Sequence, residues 1–216
     1  TASGGCPPGC CWFRQIAIPI GWVREFLDEN PGDIRRIFSL DSYLRRGSLV
    51  SITTDASPFG IGAALEIGGK IIAYFSDTFS VHDRSILELA EAPSSSDQQL
   101  LQSFAIPVAL RHWCQQWRGQ RVRLTVATDN VAALMLVVKM QPKGPRLGLI
   151  AKEMALDIGA SSYTPDVVEH IPGIANEAAD ALSRTASPNP PPLPTYLPTN
   201  CRAKLQERGL TGRGSF

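Results

Sequence analysis

The chain lacks a long apolar run. Arg24 and Glu25 break the N-terminal apolar stretch, and no segment approaches the roughly 18 uninterrupted apolar residues a membrane-crossing helix needs, so no membrane span is expected. Cysteine is sparse: five in 216 residues, three of them crowded at Cys6, Cys10 and Cys11. That is no disulfide framework for a chain this large, and the core reads as that of a protein from a reducing intracellular compartment. Histidine is rarer still, with three in all and none in the first eighty residues, so the N-terminal cysteines have no fourth ligand for zinc. Charge of one sign is absent as well, since 21 Lys and Arg against 20 Asp and Glu leave +1. Global attraction to nucleic acid is thereby excluded, and any such binding needs a local basic face. Arg111, Arg118, Arg121 and Arg123 form one candidate, and Lys139, Lys143 and Arg146 another; the competing reading is solvated charge at helix ends.

What is present suffices for one core with extensions, because 44% of the residues are hydrophobic. The chain opens on Thr1 without a methionine, which reads as a processed product or a piece of something longer. Residues 1–48 form an N-terminal arm. After a Gly-, Pro- and Cys-rich start, Trp12, Ile16, Ile20, Val23 and Leu27 recur at helical spacing, interrupted by Pro19 and Gly21. Asn30-Pro31-Gly32-Asp33 is a turn signal, and Ile34 to Leu44 predicts a short helix.

A domain over residues 49–186 follows. Val50 and Ile52 alternate with Ser51 and Thr53, and turns at Ser57-Pro58-Phe59-Gly60 and Gly68-Gly69 link three successive antiparallel strands. Residues 77–96 read as loop. A helix is predicted from Asp97 to Trp117, kinked at Pro107, then a strand over 121–128, helices over 130–140 and 145–158, a strand over 167–171 and a last helix over 174–184. That order implies an α/β fold, a mixed five-stranded sheet with helices on its faces. Residues 187–216 contain Pro188-Asn189-Pro190-Pro191-Pro192-Leu193-Pro194, read as an extended tether, and a basic tail read as disordered.

Within this frame Asp55 ends the first strand, Asp129 ends the fourth and Asp180 lies on the last helix, ten residues after His170. Taken singly, each aspartate is a common cap or turn residue. Together they offer what two-metal phosphodiester cleavage needs, several carboxylates aimed at one spot to hold two divalent cations against an anionic phosphate.

The same residues carry a resemblance. Thr54-Asp55-Ala56-Ser57 with Gly60-Ile61-Gly62-Ala63, then Thr128-Asp129-Asn130 with Ala132-Ala133-Leu134, and finally His170-Ile171-Pro172-Gly173, Asn176 and Ala179-Asp180-Ala181-Leu182-Ser183-Arg184 resemble the ribonuclease H domain of retroelement reverse transcriptases, of the long-terminal-repeat and related kinds. The resemblance covers about residues 49–184, and residues 34–47 look like the end of the preceding connection region. It implies a ribonuclease H-like fold, Asp55, Asp129 and Asp180 as ligands of two Mg²⁺ (or Mn²⁺) ions, His170 as a mobile group for proton transfer and product release, and an RNA–DNA hybrid as partner. Transposases and integrases of the same superfamily fit less well, since their sites usually close with a glutamate on the final helix.

One position departs from the pattern. Related domains carry a glutamate ahead of Ala-Leu-Arg-x-Trp, and counting back from Ala109-Leu110-Arg111-His112-Trp113 puts Gln102 in its place. An amide brings no charge and holds a hard cation more weakly. Asp97 lies off the helical face of residue 102, and Glu88 and Glu91 belong to the preceding loop. Two readings follow: a hybrid-cutting Mg²⁺-dependent nuclease impaired at Gln102, or a catalytically inactive domain kept as a binding or structural subunit, with residues 12–46 and 187–216 as its protein contacts.

Overall fold

The computed structural model describes residues 20–21, 23–24, 44, 46–90, 95–117, 122–159 and 167–203. The turn and helix expected over residues 30–44, apart from Leu44, most of the remaining arm, the N-terminal cysteines, Glu91, Arg118, Arg121 and the tail from residue 204 lie outside them. No helix among the described residues is long and apolar enough to cross a membrane.

Alternation and the two tight turns build a meander of β1 (Ser48–Ser57), β2 (Gly60–Ile67) and β3 (Lys70–Asp77). Gly68 and Gly69 take positive φ at the second turn, where a side chain would be strained. β4 (Val122–Thr128) pairs parallel to β1, and β5 (Val167–His170) parallel to β4, giving the order β3-β2-β1-β4-β5. This is the mixed five-stranded α/β architecture, three antiparallel strands first, that was expected.

Alternate residues of the strands feed two apolar layers. Ile52, Ala63, Leu65 and Phe75 face the main core, built with α2 (Ser95–Trp113), α3 (Val131–Lys139) and α4 (Pro145–Gly159). Ala64 and Tyr74 face a smaller layer under α5 (Glu177–Ser183). The last helical segment is thus split: a tight 3-10 turn over Gly173–Asn176 precedes α5.

Three expectations are corrected. Residues 77–96 are not simply loop: a short helix, α1 (Val81–Ile86), starts at a capping box in which Ser80 Oγ accepts from the Asp83 N–H and the Asp83 carboxylate accepts from the Ser80 N–H. α2 runs through Pro107 as one element, as the predicted helix does, with Ile106 and Val108 buried on either side. Arg111 belongs to no surface patch. It crosses from α2 to α4, its Nη2 2.7 Å from Glu153 and its Nε 2.5 Å from Asp157, and Arg146 pairs with Asp97 at 2.7 Å. Finally, the start of the tail read as disordered packs on the sheet: Leu197, just past the proline run, is buried with Tyr74 and Leu182, and the Ala203 N–H donates to the Tyr74 carbonyl on the β3 edge.

Candidate active site

Asp55 lies two residues beyond the last β1–β4 registered pair, Thr53 with Ala127, and is only 3% exposed. Helices on both faces of the sheet reach it there. From α2, the buried Gln102 donates Nε2 to Asp55 Oδ1 at 2.5 Å and to the Ala56 carbonyl at 3.1 Å, while its Oε1 accepts from Thr128 Oγ1 at 3.4 Å. Gln98, one turn earlier, donates to the same Ala56 carbonyl. From α5, Ser183 Oγ stands 2.6 Å from Asp55 Oδ2 and 2.9 Å from the Asp180 carbonyl; its single proton goes to the shorter, charge-assisted contact.

The orientation of the Gln102 amide follows from its neighbours. A backbone carbonyl only accepts, and so does an ionised carboxylate; the nitrogen must therefore face both Ala56 and Asp55. The amide oxygen, the one atom of Gln102 able to ligate a hard cation, is turned to Thr128.

α5 is held against the sheet by its last carbonyls, with Ser57 Oγ donating to Ser183 O and Ser76 Oγ to Leu182 O. Contact is close enough to require glycine beneath it: a Cβ on Gly62 would stand 2.5 Å from Ser183 N and 2.6 Å from Leu182 Cβ. Asn176 adds a bond from Nδ2 to the Thr54 carbonyl. This packing delivers Asp180 to the site, half-buried, with Arg184 one turn on placing Nη2 at 2.7 Å and Nε at 2.8 Å from the same Oδ1.

Asp129 follows β4, and Asn130 behind it caps α3 by accepting from the Ala133 N–H. His170, exposed at the end of β5, sets Nε2 3.1 Å from the Asp129 carbonyl, which makes that nitrogen the donor. The loop after it presses on the same residue, for a Cβ on Gly173 would meet Asp129 Oδ2 at 3.5 Å.

Asp55 is near enough to both other aspartates to feel them. Burial raises its carboxyl above the usual 3.8; hydrogen bonds from Ser183 and Gln102 pull it down, and the charges of Asp129 and Asp180 push it up again. The five predicted residues therefore gather around one end of the sheet. Asp97, expected to lie off the face of residue 102, is engaged by Arg146, and of the loop pair Glu88 is exposed beyond α1 while Glu91 lies outside the described residues. Sequence reasoning did not single out Gln98, Thr128, Ser183 and Arg184 as functional, although the spacing of Ser183 and Arg184 three and four residues after Asp180 was a readable signal.

Hard oxygen donors suit Mg²⁺ or Mn²⁺, but this arrangement does not fit a pair of such ions. Both Asp55 oxygens already accept from the chain's own donors, and Asp180 carries Arg184. Among the described residues no three His, Cys, Asp or Glu side chains stand together at ion-holding distance.

No protein-family profile matches the chain, and no curated protein matches it. Among solved structures it is similar to ribonuclease H1 from the archaeon Halobacterium salinarum NRC-1, at 16% identity over 64% of this chain and 96% of that one, with a TM-score of 0.43. LC11 ribonuclease H1, isolated from compost by a metagenomic approach, matches at 16% identity over 65% and 94%, TM-score 0.45. The N-terminal ribonuclease H domain of a Mycobacterium tuberculosis protein matches at 12% over 64% and 97%, TM-score 0.42.

Proposed function

We propose that residues 49–186 are a ribonuclease H-like domain of a retroelement reverse transcriptase, in which two-metal hydrolysis of the RNA strand of an RNA–DNA hybrid is impaired by Gln102. Residues 1–48 are then the end of the connection region, and residues 187–216 a C-terminal extension. The observation that carries the reading is the place of Gln102: the residue reached by counting back along α2 lies against Asp55, which itself feels the charges of Asp129 and Asp180. In this reading Asp55, Asp129 and Asp180 are the metal ligands of the lineage, His170 the proton-handling group, and Gln102 the altered fourth position. Loss of a supporting ligand partner alone costs about 10 to 100-fold in affinity or activity, so replacing a ligand costs at least that.

A second reading, a non-catalytic subunit that binds other proteins, is favoured by the saturation of Asp55 on both oxygens. One assay separates the two. A labelled hybrid is incubated in Mg²⁺ or Mn²⁺ with the unmodified chain, Asp55→Asn and Gln102→Glu. Slow cleavage that Asp55→Asn abolishes and Gln102→Glu accelerates is the expected outcome; cleavage by Gln102→Glu alone favours the second reading, and cleavage that ignores both substitutions overturns the site.

A further inference from the structure

Three donors from the chain itself stand where cations would be needed. Gln102 Nε2 is on Asp55 Oδ1, Ser183 Oγ on Asp55 Oδ2, and the Arg184 guanidinium on Asp180 Oδ1. The Gln102 amide is also fully used. One N–H goes to Asp55, the other to Ala56, and the oxygen accepts from Thr128. A buried amide with every group satisfied is held firmly, because turning it would set its oxygen against two acceptors. Glutamate at this position would meet those acceptors in either orientation, and would bring a fourth carboxylate to the cluster.

Resting on the ribonuclease H reading of this site, we infer that Asp55 is closed to cations: Gln102 and Ser183 occupy both of its oxygens while Arg184 takes Asp180 Oδ1, so that in the absence of nucleic acid the domain folds and persists without a bound divalent cation. Gln102 is then the residue that decides whether the cluster takes a metal. The consequence reaches beyond slow catalysis, since the stability of the nucleic-acid-free domain does not depend on Mg²⁺, and a single change from amide to carboxylate introduces that dependence.

The test uses the full chain without nucleic acid. Mn²⁺ binding is followed by calorimetry and by the electron-spin signal of the free ion, and melting temperature is compared in chelator and in millimolar Mg²⁺. The unmodified chain is expected to show no saturable site and the same melting temperature in both. Gln102→Glu is expected to melt lower in chelator, to recover with cation, and to bind Mn²⁺ at least about tenfold more tightly than the parent. Saturable binding by the unmodified chain that Asp55→Asn removes overturns the inference, and that result needs no foldable Gln102 variant. A parent that binds Mn²⁺ yet cuts slowly leaves the impaired-nuclease reading standing while this inference falls. A parent that binds none, beside a Gln102→Glu variant that binds Mn²⁺ yet never cuts, supports the inference and removes the nuclease reading.

Discussion

Gln102 Nε2 and Asp55 Oδ1 meet at 2.5 Å across 47 residues of sequence. A carboxylate at residue 102 could share a cation with Asp55 but could not donate to it; the amide donates and shares nothing. The bond joins α2 to the end of β1 and makes Asp55 an internal acceptor.

Asp55 should show this in its pH response. Burial raises its carboxyl above 3.8, so the folded chain holds the proton more tightly than the unfolded one. Its contribution to stability is fully present below the unfolded value and is lost as pH rises through the folded value. The unfolding free energy of the parent, measured in urea relative to Asp55→Asn, should therefore shift in the parent's favour as pH falls toward 3.8; a shift the other way contradicts the assignment.

Arg111 joins α2 to α4 through Glu153 and Asp157, and its side chain is only 11% exposed. Burial disfavours its charge, and bonds to the two carboxylates more than offset this, so its pKa lies above the ordinary value. Arg111→Met removes the cation held between two carboxylates, Glu153 being fully buried, and should cost about 3–5 kcal/mol in urea denaturation. A loss within the range of an exposed pair, below about 1 kcal/mol, would show that the bridge contributes little.

Leu197 lies in the Pro-rich extension yet packs with Tyr74 and Leu182. Leu197→Ala should cost about 2–3 kcal/mol, and a chain ending at residue 187 should melt at a lower temperature than the parent. Equal melting temperatures would mean that the extension is not part of the folded unit.

Gly62 lets α5 approach the sheet. Gly62→Ala should cost at least about 1–3 kcal/mol by overpacking, and should also shift the resonances of Ser183 and Asp180, which ride on that helix. Unchanged α5 resonances would place the helix farther from β2 than described.

Much of this was readable in advance, for reasons particular residues make plain. Gly68-Gly69 marked the second hairpin because turn chemistry is a local property, and Gln102 was reached through the resemblance, by counting back from Ala109-Leu110-Arg111 to the position where related domains carry glutamate. What failed was non-local or masked by composition. The ions paired with Arg111 sit on another helix more than forty residues away, invisible in a pattern of basic residues. A run of prolines hid the one anchor, Leu197. α1 was overlooked because its apolar residues are few and Val81 is exposed, although Ser80 and Asp83 at capping-box spacing announced its start.

The most direct measurement is the side-chain amide resonance pair of Gln102 in ¹⁵N-labelled protein, recorded in chelator and in Mg²⁺. Two protons engaged by Asp55 and Ala56 should be separately resolved, slow to exchange with water, and unmoved by the cation. An averaged, rapidly exchanging pair, or one that shifts as Mg²⁺ is added, would contradict the claim that this amide closes the site.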